Sequence, residues 1–278
     1  MNANYKNYLI ASKKSEHTID AYIDHVKRML NYVGKADEDI KFIDLVGYQA
    51  TLADKSANTV CQHIAAIKSY FNFLRKFGVI DNDPSLDLER PKVNPKPKAY
   101  MTAEDVSAMI EAARKIRDKA IIATYASTGL RVSELCGLKL DDYYKAVNDG
   151  TYEIRICGKG NKERIVYLNE QVQNYINDYL KTRNDDCEYL FASFQHSAMC
   201  RGHLGEMLKE TARRAGLPYW ENMSNHNMRA AFATIASDKG VPVATISKAM
   251  GHSSLAVTTV YIKNSQKNIN NAMANMVF

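Results

Sequence analysis

Several things are scarce or missing in this chain, and each absence narrows what it can be. Its five cysteines, Cys61, Cys136, Cys157, Cys187 and Cys200, are odd in number, scattered, and form no C-x-x-C pair. That spacing suggests neither a zinc site nor a disulfide framework, and it fits a reducing, cytoplasmic setting. No apolar run approaches the ~18–20 residues of a membrane span, so no integral membrane protein is expected. The opening residues Met1-Asn2-Ala3-Asn4-Tyr5-Lys6-Asn7 hold no basic stretch followed by an apolar core, so no secretory leader is expected. The pattern G-x-x-x-x-G-K-[ST] is missing, so Gly158-Lys159-Gly160 is not a P-loop. Neither an internal repeat nor a low-complexity tract is present.

What is present is ordinary globular material. The chain has 278 residues, 46% apolar and 24% charged, which excludes a largely disordered chain and makes two domains the default. Net charge is +6, from 37 basic and 31 acidic side chains. Residues 1–92 hold 13 basic and 12 acidic residues, and residues 93–278 hold 24 and 19, so the excess lies mainly in the second part. Such a balance permits nucleic-acid binding without requiring it.

The segment 90–99 reads as a linker. Pro91, Pro95 and Pro97 forbid a helix, and Arg90, Lys92, Lys96 and Lys98 make the strip positive, suited either to plain solubility or to phosphate contact. It divides the chain into an expected all-helical domain over 1–89 and a second domain over 100–278. In the first, Ile19, Tyr22, Ile23, Val26, Leu30 and Val33 recur at helical spacing and stop at Gly34. A second helix is expected from near Thr59, carrying Val60, Ile64, Ile67, Phe71 and Leu74 and stopping at Gly78, with a shorter one over 43–52. After the linker, Thr102 reads as an N-cap for a helix through Arg114, and a further helix is expected over 118–127. Residues 152–156 and 163–168 read as two strands around the turn 158–162, hence a β-hairpin. Helices are then expected over 171–180, 202–215, 227–238 and 243–250. The β-branched run 255–260 reads as a strand by propensity.

Four segments carry chemistry-bearing residues. In 128–135 a glycine turn delivers Arg131, whose guanidinium is a permanent cation with a rigid fork of donors suited to phosphate oxygens. Lys159 sits at the hairpin tip. His226 and Arg229 share a helix face through their i, i+3 spacing. Gly251-His252 is followed nine residues later by Tyr261. Each has a bland alternative: a salt-bridged arginine, a solvated lysine, a structural His–Arg pair, a capping histidine, a packed tyrosine.

In this order and spacing, the segments 128–135, 158–164, 226–234 and 250–261 resemble the active-site boxes of the tyrosine recombinase (phage integrase) family, and the resemblance covers nearly the whole chain. It implies a mainly α fold with a small antiparallel β-hairpin: an N-terminal SAM-like, core-binding helical domain followed by an α+β catalytic domain. The two would clamp duplex DNA, with the basic linker crossing the backbone. By the same resemblance Arg131 and Arg229 clamp the phosphate, Lys159 is the hairpin lysine, His226 and His252 are active-site histidines, and Tyr261 is the nucleophile on a helix, against the strand propensity of 255–260. Many relatives, the Xer-type enzymes among them, carry a histidine directly after the second arginine, where this chain has Ala230.

The implied reaction forms a 3′-phosphotyrosine and a Holliday junction, with no metal, cofactor or ATP, in four protomers on synapsed double-stranded DNA. Accessory DNA-bending or directionality proteins are further expected partners, and the residues 266–278 are a candidate for docking on a neighbour. The expected setting is the nucleoid of a prokaryote or a mobile element. No arm-binding domain is expected ahead of the core-binding helices, as a lambda-like integrase would have. A type IB topoisomerase-like nicking-closing enzyme and a non-catalytic DNA-binding regulator are the competing readings. For DNA contact, Lys68 and Arg75 join Arg90, Lys92, Lys96 and Lys98 as candidates, with Asn58 and Gln62 as weaker ones.

Overall fold

The computed structural model describes residues 2, 4–93, 101–158, 163–252 and 254–259. Lys159, Tyr261, Lys96, Lys98 and the 266–278 segment singled out above lie outside these. The chain divides into two compact units, Met1–Pro97 and Lys98–Phe278. Among the described residues the architecture is mainly helical, with one two-stranded antiparallel sheet.

The first unit is built from α1 (Tyr5–Ala11), α2 (Glu16–Val33), α3 (Phe42–Ala50) and α4 (Ala57–Lys76). Both long helices are punctuated by side chains that satisfy orphan N-terminal N–H groups. The Ser15 hydroxyl accepts from the Thr18 N–H at 3.3 Å, and Ser56 accepts from the Thr59 N–H at 3.1 Å. Thr59 therefore lies inside α4, and Ser56 is its cap. Gly34 closes α2 with φ +64°, and its N–H reaches the Leu30 carbonyl at 2.9 Å. Helix α2 packs on α3 and α4 around Val26, Met29, Ile64, Tyr70 and Phe71. Against this core, α1 inserts Tyr5 and Leu9, both fully buried, and the Tyr5 and Tyr70 rings meet edge to face at 5.0 Å. Periodicity did not reveal α1, because seven residues with two inward positions fall short of a full amphipathic period. Between α2 and α4 the imidazoles of His25 and His63 stack at 3.8 Å, and the Tyr48 hydroxyl lies 2.8 Å from His63 Nδ1.

The second unit begins with α5 (Ala103–Ala112), α6 (Ile116–Thr128), α7 (Val132–Cys136) and α8 (Leu140–Asn148). Thr102 and Asp105 form a reciprocal capping box at the start of α5, with N–H···O distances of 3.2 and 2.9 Å. Helix α6 is buried nearly all round and serves as the central post. The hairpin follows as β1 (Glu153–Cys157) and β2 (Glu163–Tyr167), in register with Glu153 opposite Tyr167 and Cys157 opposite Glu163. Then come α9 (Glu170–Lys181), α10 (Arg201–Arg214), α11 (Asn225–Asp238), α12 (Val243–Met250) and α13 (Leu255–Thr259). Helices α5, α9 and α11 pack around α6. The nine-residue α8, which buries Tyr143 and Ala146, was not foreseen. Residues 255–259 are helical despite their β-branched composition, a tertiary override of propensity.

None of the five cysteines is in a disulfide. Among the described residues, no helix is long and apolar enough to cross a membrane, and no group of three His, Cys, Asp or Glu is placed to hold a metal ion.

Candidate active site

The site is assembled where two helices end. Helix α6 closes on Gly129 at φ +59°, and α12 closes on Gly251 at φ +66°. The last carbonyls of any helix lack intrahelical partners and carry partial negative charge. Here guanidinium groups take them. Arg229, buried on α11, donates one terminal nitrogen to the Gly129 carbonyl and the other to the Met250 carbonyl at 2.6 Å. Arg131, the N-cap residue of α7 and two residues past the Gly129 turn, donates Nη2–H to the Gly251 carbonyl at 3.0 Å. Arg164 on β2 donates Nε–H to the Ala249 carbonyl at 2.9 Å. Each of these three cations is thus anchored to at least one backbone carbonyl, the kind of preorganisation that charge stabilisation requires.

One carboxylate joins two of them. Glu134 accepts from Arg131 Nη1 at 2.8 Å and from the Arg131 backbone N–H at 2.6 Å. It also accepts from both terminal nitrogens of Arg164, at 2.9 and 2.6 Å. Burial alone would push the Glu134 carboxyl up. The hydrogen bonds from Arg164, then those from the Arg131 backbone and side chain, outweigh burial and hold it down at about 2. Sequence reasoning missed Glu134 and Arg164. Glu134 did leave a signal, the i, i+3 capping spacing from Arg131. So did Arg164, which shares the inward face of β2 with Val166 while Ile165 and Tyr167 face out.

His252 follows Gly251, half-buried, with Nδ1 2.8 Å from the Thr258 hydroxyl on α13. Burial, and then the charges of Arg229, Arg131, Arg164 and His226, push its imidazole down to about 4. It is neutral at pH 7 and can exchange a hydrogen bond without adding a charge. His226 stands exposed in the first turn of α11, one turn before Arg229. An open cleft of about 800 Å³ is lined by Arg131, Arg155, Arg164, Lys248 and His252. The structure therefore brings Arg131, His226, Arg229 and His252 into one electrostatic neighbourhood. Ala230 is buried against Ala233, Ile246 and Met250, an apolar contact between α11 and α12.

In the first unit, Lys68, Arg75 and Arg90 line one groove of about 500 Å³ together with Lys14 and Tyr22. Lys68 is tied to the Leu86 carbonyl at 2.9 Å, and Arg75 lies 3.4 Å from the Asn72 side chain. Lys92 is exposed and does not line that groove; Asn58 and Gln62 are exposed on α4.

The chain is thus a helical unit ahead of a helical unit with one hairpin, the second carrying an arginine-lined cleft. Residues 99–268 match the phage integrase family, and residues 3–78 match the phage integrase N-terminal SAM-like domain. The chain is 31% identical to tyrosine recombinase XerA of Pyrococcus furiosus, over 97% of this chain and 91% of the relative. The crystal structure of XerA recombinase superposes with a TM-score of 0.57 at 25% identity, covering 99% of this chain and 98% of that one. A lambda integrase tetramer bound to a Holliday junction shares the fold, with a TM-score of 0.75 at 16% identity over 90% of this chain and 76% of that one. The chain belongs to the phage integrase family and is a tyrosine-type site-specific recombinase.

Proposed function

We propose that this recombinase cleaves and rejoins double-stranded DNA at specific sites through a 3′-phosphotyrosine on Tyr261. The observation that carries the reading is the convergence of Arg131, Arg229 and His252 on two helix ends drawn from separate parts of the chain. In the proposed step the Tyr261 oxygen attacks the scissile phosphorus, a P–O bond forms, and the bond to the 5′-oxygen breaks. Negative charge grows on the non-bridging oxygens, where Arg131 and Arg229 offer fixed donors. A phenol is a weak nucleophile at neutral pH, so its proton must leave; His226 accepts it. Lys159 gives a proton to the departing 5′-oxygen. Neutral His252, with its ring fixed by Thr258, donates a hydrogen bond to the phosphate.

The covalent link conserves the phosphodiester's energy, so a 5′-hydroxyl from a second duplex reseals without ATP. Two rounds, through a Holliday junction and four protomers, exchange strands. The Lys68–Arg75–Arg90 groove supplies phosphate contacts that set register, and base edges are read by helices in the major groove.

A test begins by selecting the binding site from a random duplex pool with the Tyr261→Phe protein. On a nicked suicide duplex carrying that site, wild type is expected to form a covalent adduct and Tyr261→Phe to bind without forming one. Arg131→Ala is expected to bind normally and form adduct at least about 100-fold more slowly. Normal adduct formation by either variant would refute the assignment. Strand exchange between two duplexes separates recombination from nicking and closing alone.

A further inference from the structure

The hairpin residue Arg164 has no role in the step above, yet its guanidinium gives three hydrogen bonds at the site. It joins three segments distant in sequence: β2, the first turn of α7 through Glu134, and the end of α12 through the Ala249 carbonyl. Its side chain also lies across Gly251. A Cβ at that glycine would meet Arg164 Cδ at 3.2 Å and Nη1 at 3.4 Å, tight contacts at a backbone whose φ of +66° already favours glycine. Arg164 and Glu134 are both buried, with side-chain exposures of 9% and 5%.

This arrangement controls how Glu134 can hold Arg131. Arginine and carboxylate favour a two-nitrogen, fork-to-fork pairing. Arg164 occupies that mode, giving both terminal nitrogens to the two carboxylate oxygens. Arg131 is left with a one-nitrogen contact to Glu134, and its other terminal nitrogen goes to the Gly251 carbonyl. In that pose it lines the cleft. Without Arg164, a buried carboxylate would face Arg131 alone and draw its fork away from the cleft.

We propose that Arg164 is a positioning residue for strand cleavage: by taking the two-nitrogen edge of Glu134 it keeps Arg131 turned toward the scissile phosphate. The inference rests on the function proposed above. It is tested with Arg164→Met and Arg164→Lys, each alone and combined with Arg131→Ala, on the same suicide duplex. Arg164→Met is expected to bind the site within threefold of wild type and to form adduct at least about 30-fold more slowly, an effect below the loss of a direct donor. Arg164→Lys restores the charge but not the fork, and is expected to stay at least about tenfold slow. In the Arg131→Ala background either substitution is expected to slow the reaction less than threefold further, because residues acting through one group do not add.

A general structural defect would instead multiply with Arg131→Ala, and that result overturns the proposal. So does an Arg164→Met rate within threefold of wild type, or full recovery with lysine. If the methionine variant fails to fold, by circular dichroism and Trp220 fluorescence, the lysine variant carries the same comparison. Absence of a wild-type adduct overturns the functional reading and this one together; a normal wild type with additive variants overturns this one alone.

Discussion

Gly129 and Gly251 end two different helices in the left-handed conformation, and each presents a carbonyl to an arginine. Their lack of a side chain matters for different neighbours. At Gly251 the space belongs to Arg164, and at Gly129 it belongs to Phe232, whose ring carbon would lie 2.5 Å from a Cβ. Gly129→Ala therefore combines a positive φ with a clash that the Phe232 ring must shift to relieve. It is expected to lower stability by about 3 kcal/mol in urea unfolding followed by Trp220 fluorescence. A loss below about 0.5 kcal/mol would show that the turn has no such constraint. Phe232→Leu in the same chain should recover part of the loss, since it removes the clash and leaves the φ cost. Arg131, His226, Arg229 and His252 stood out in sequence by an order and spacing that resemble the family's boxes, and folding places them in one electrostatic neighbourhood. Glu134 and Arg164 were not legible as a pair. Their contact spans 30 positions, and nothing local couples a capping glutamate to an inward-facing strand arginine.

At the scale of elements, the two long helices of the first unit were legible from period and punctuation, while their inner contact was not. His63 on α4 is buried against His25 on α2 and bonded to Tyr48. Burial first, then the neighbouring His25 and Arg28, push the His63 imidazole down to about 4, with Asp24 opposing weakly. The unfolded chain, with an ordinary imidazole near 6.5, therefore binds the proton first. The contribution of His63 to the stability of this unit is fully present above pH 6.5 and is lost as pH falls from 6.5 through about 4. Hydrogen exchange of the α4 amides, compared at pH 7 and pH 5 after correction for intrinsic rates, should show this loss of protection. His63→Gln should flatten the difference. An unchanged pH dependence in that variant would place the titration elsewhere. A second expectation concerns the start of the same helix: Ser56→Ala removes its cap and should cost about 1 kcal/mol by thermal unfolding, with a change below about 0.3 kcal/mol counting against the cap.

For the whole molecule, charge organises the expected behaviour. The net charge of +6 is modest, but folding gathers Arg131, Arg155, Arg164 and Lys248 at one cleft and Lys68, Arg75 and Arg90 at another. Binding to duplex DNA is expected to weaken steeply with salt, with a linear fall of log affinity against log salt concentration. Arg75→Ala should reduce that slope by about 1 and weaken binding to all sequences alike, measured by fluorescence anisotropy at several salt concentrations. An unchanged slope would remove Arg75 from the phosphate-contacting set.

Short-range chemistry along the chain was sufficient for the helical character of both parts, the cap at Thr102, the stop at Gly34 and the antiparallel hairpin. These depend on neighbours within a few residues, where spacing maps directly onto a helix face or a turn. Which charges cooperate was decided only on folding. Carbonyls at 129 and 249–251, a carboxylate at 134 and arginines at 131, 164 and 229 become partners because two helices end beside one strand. The convergence of Arg164 and Arg131 that holds Glu134 charged against its burial, and the burial that holds His252 neutral, are properties of the packed unit and of no single segment.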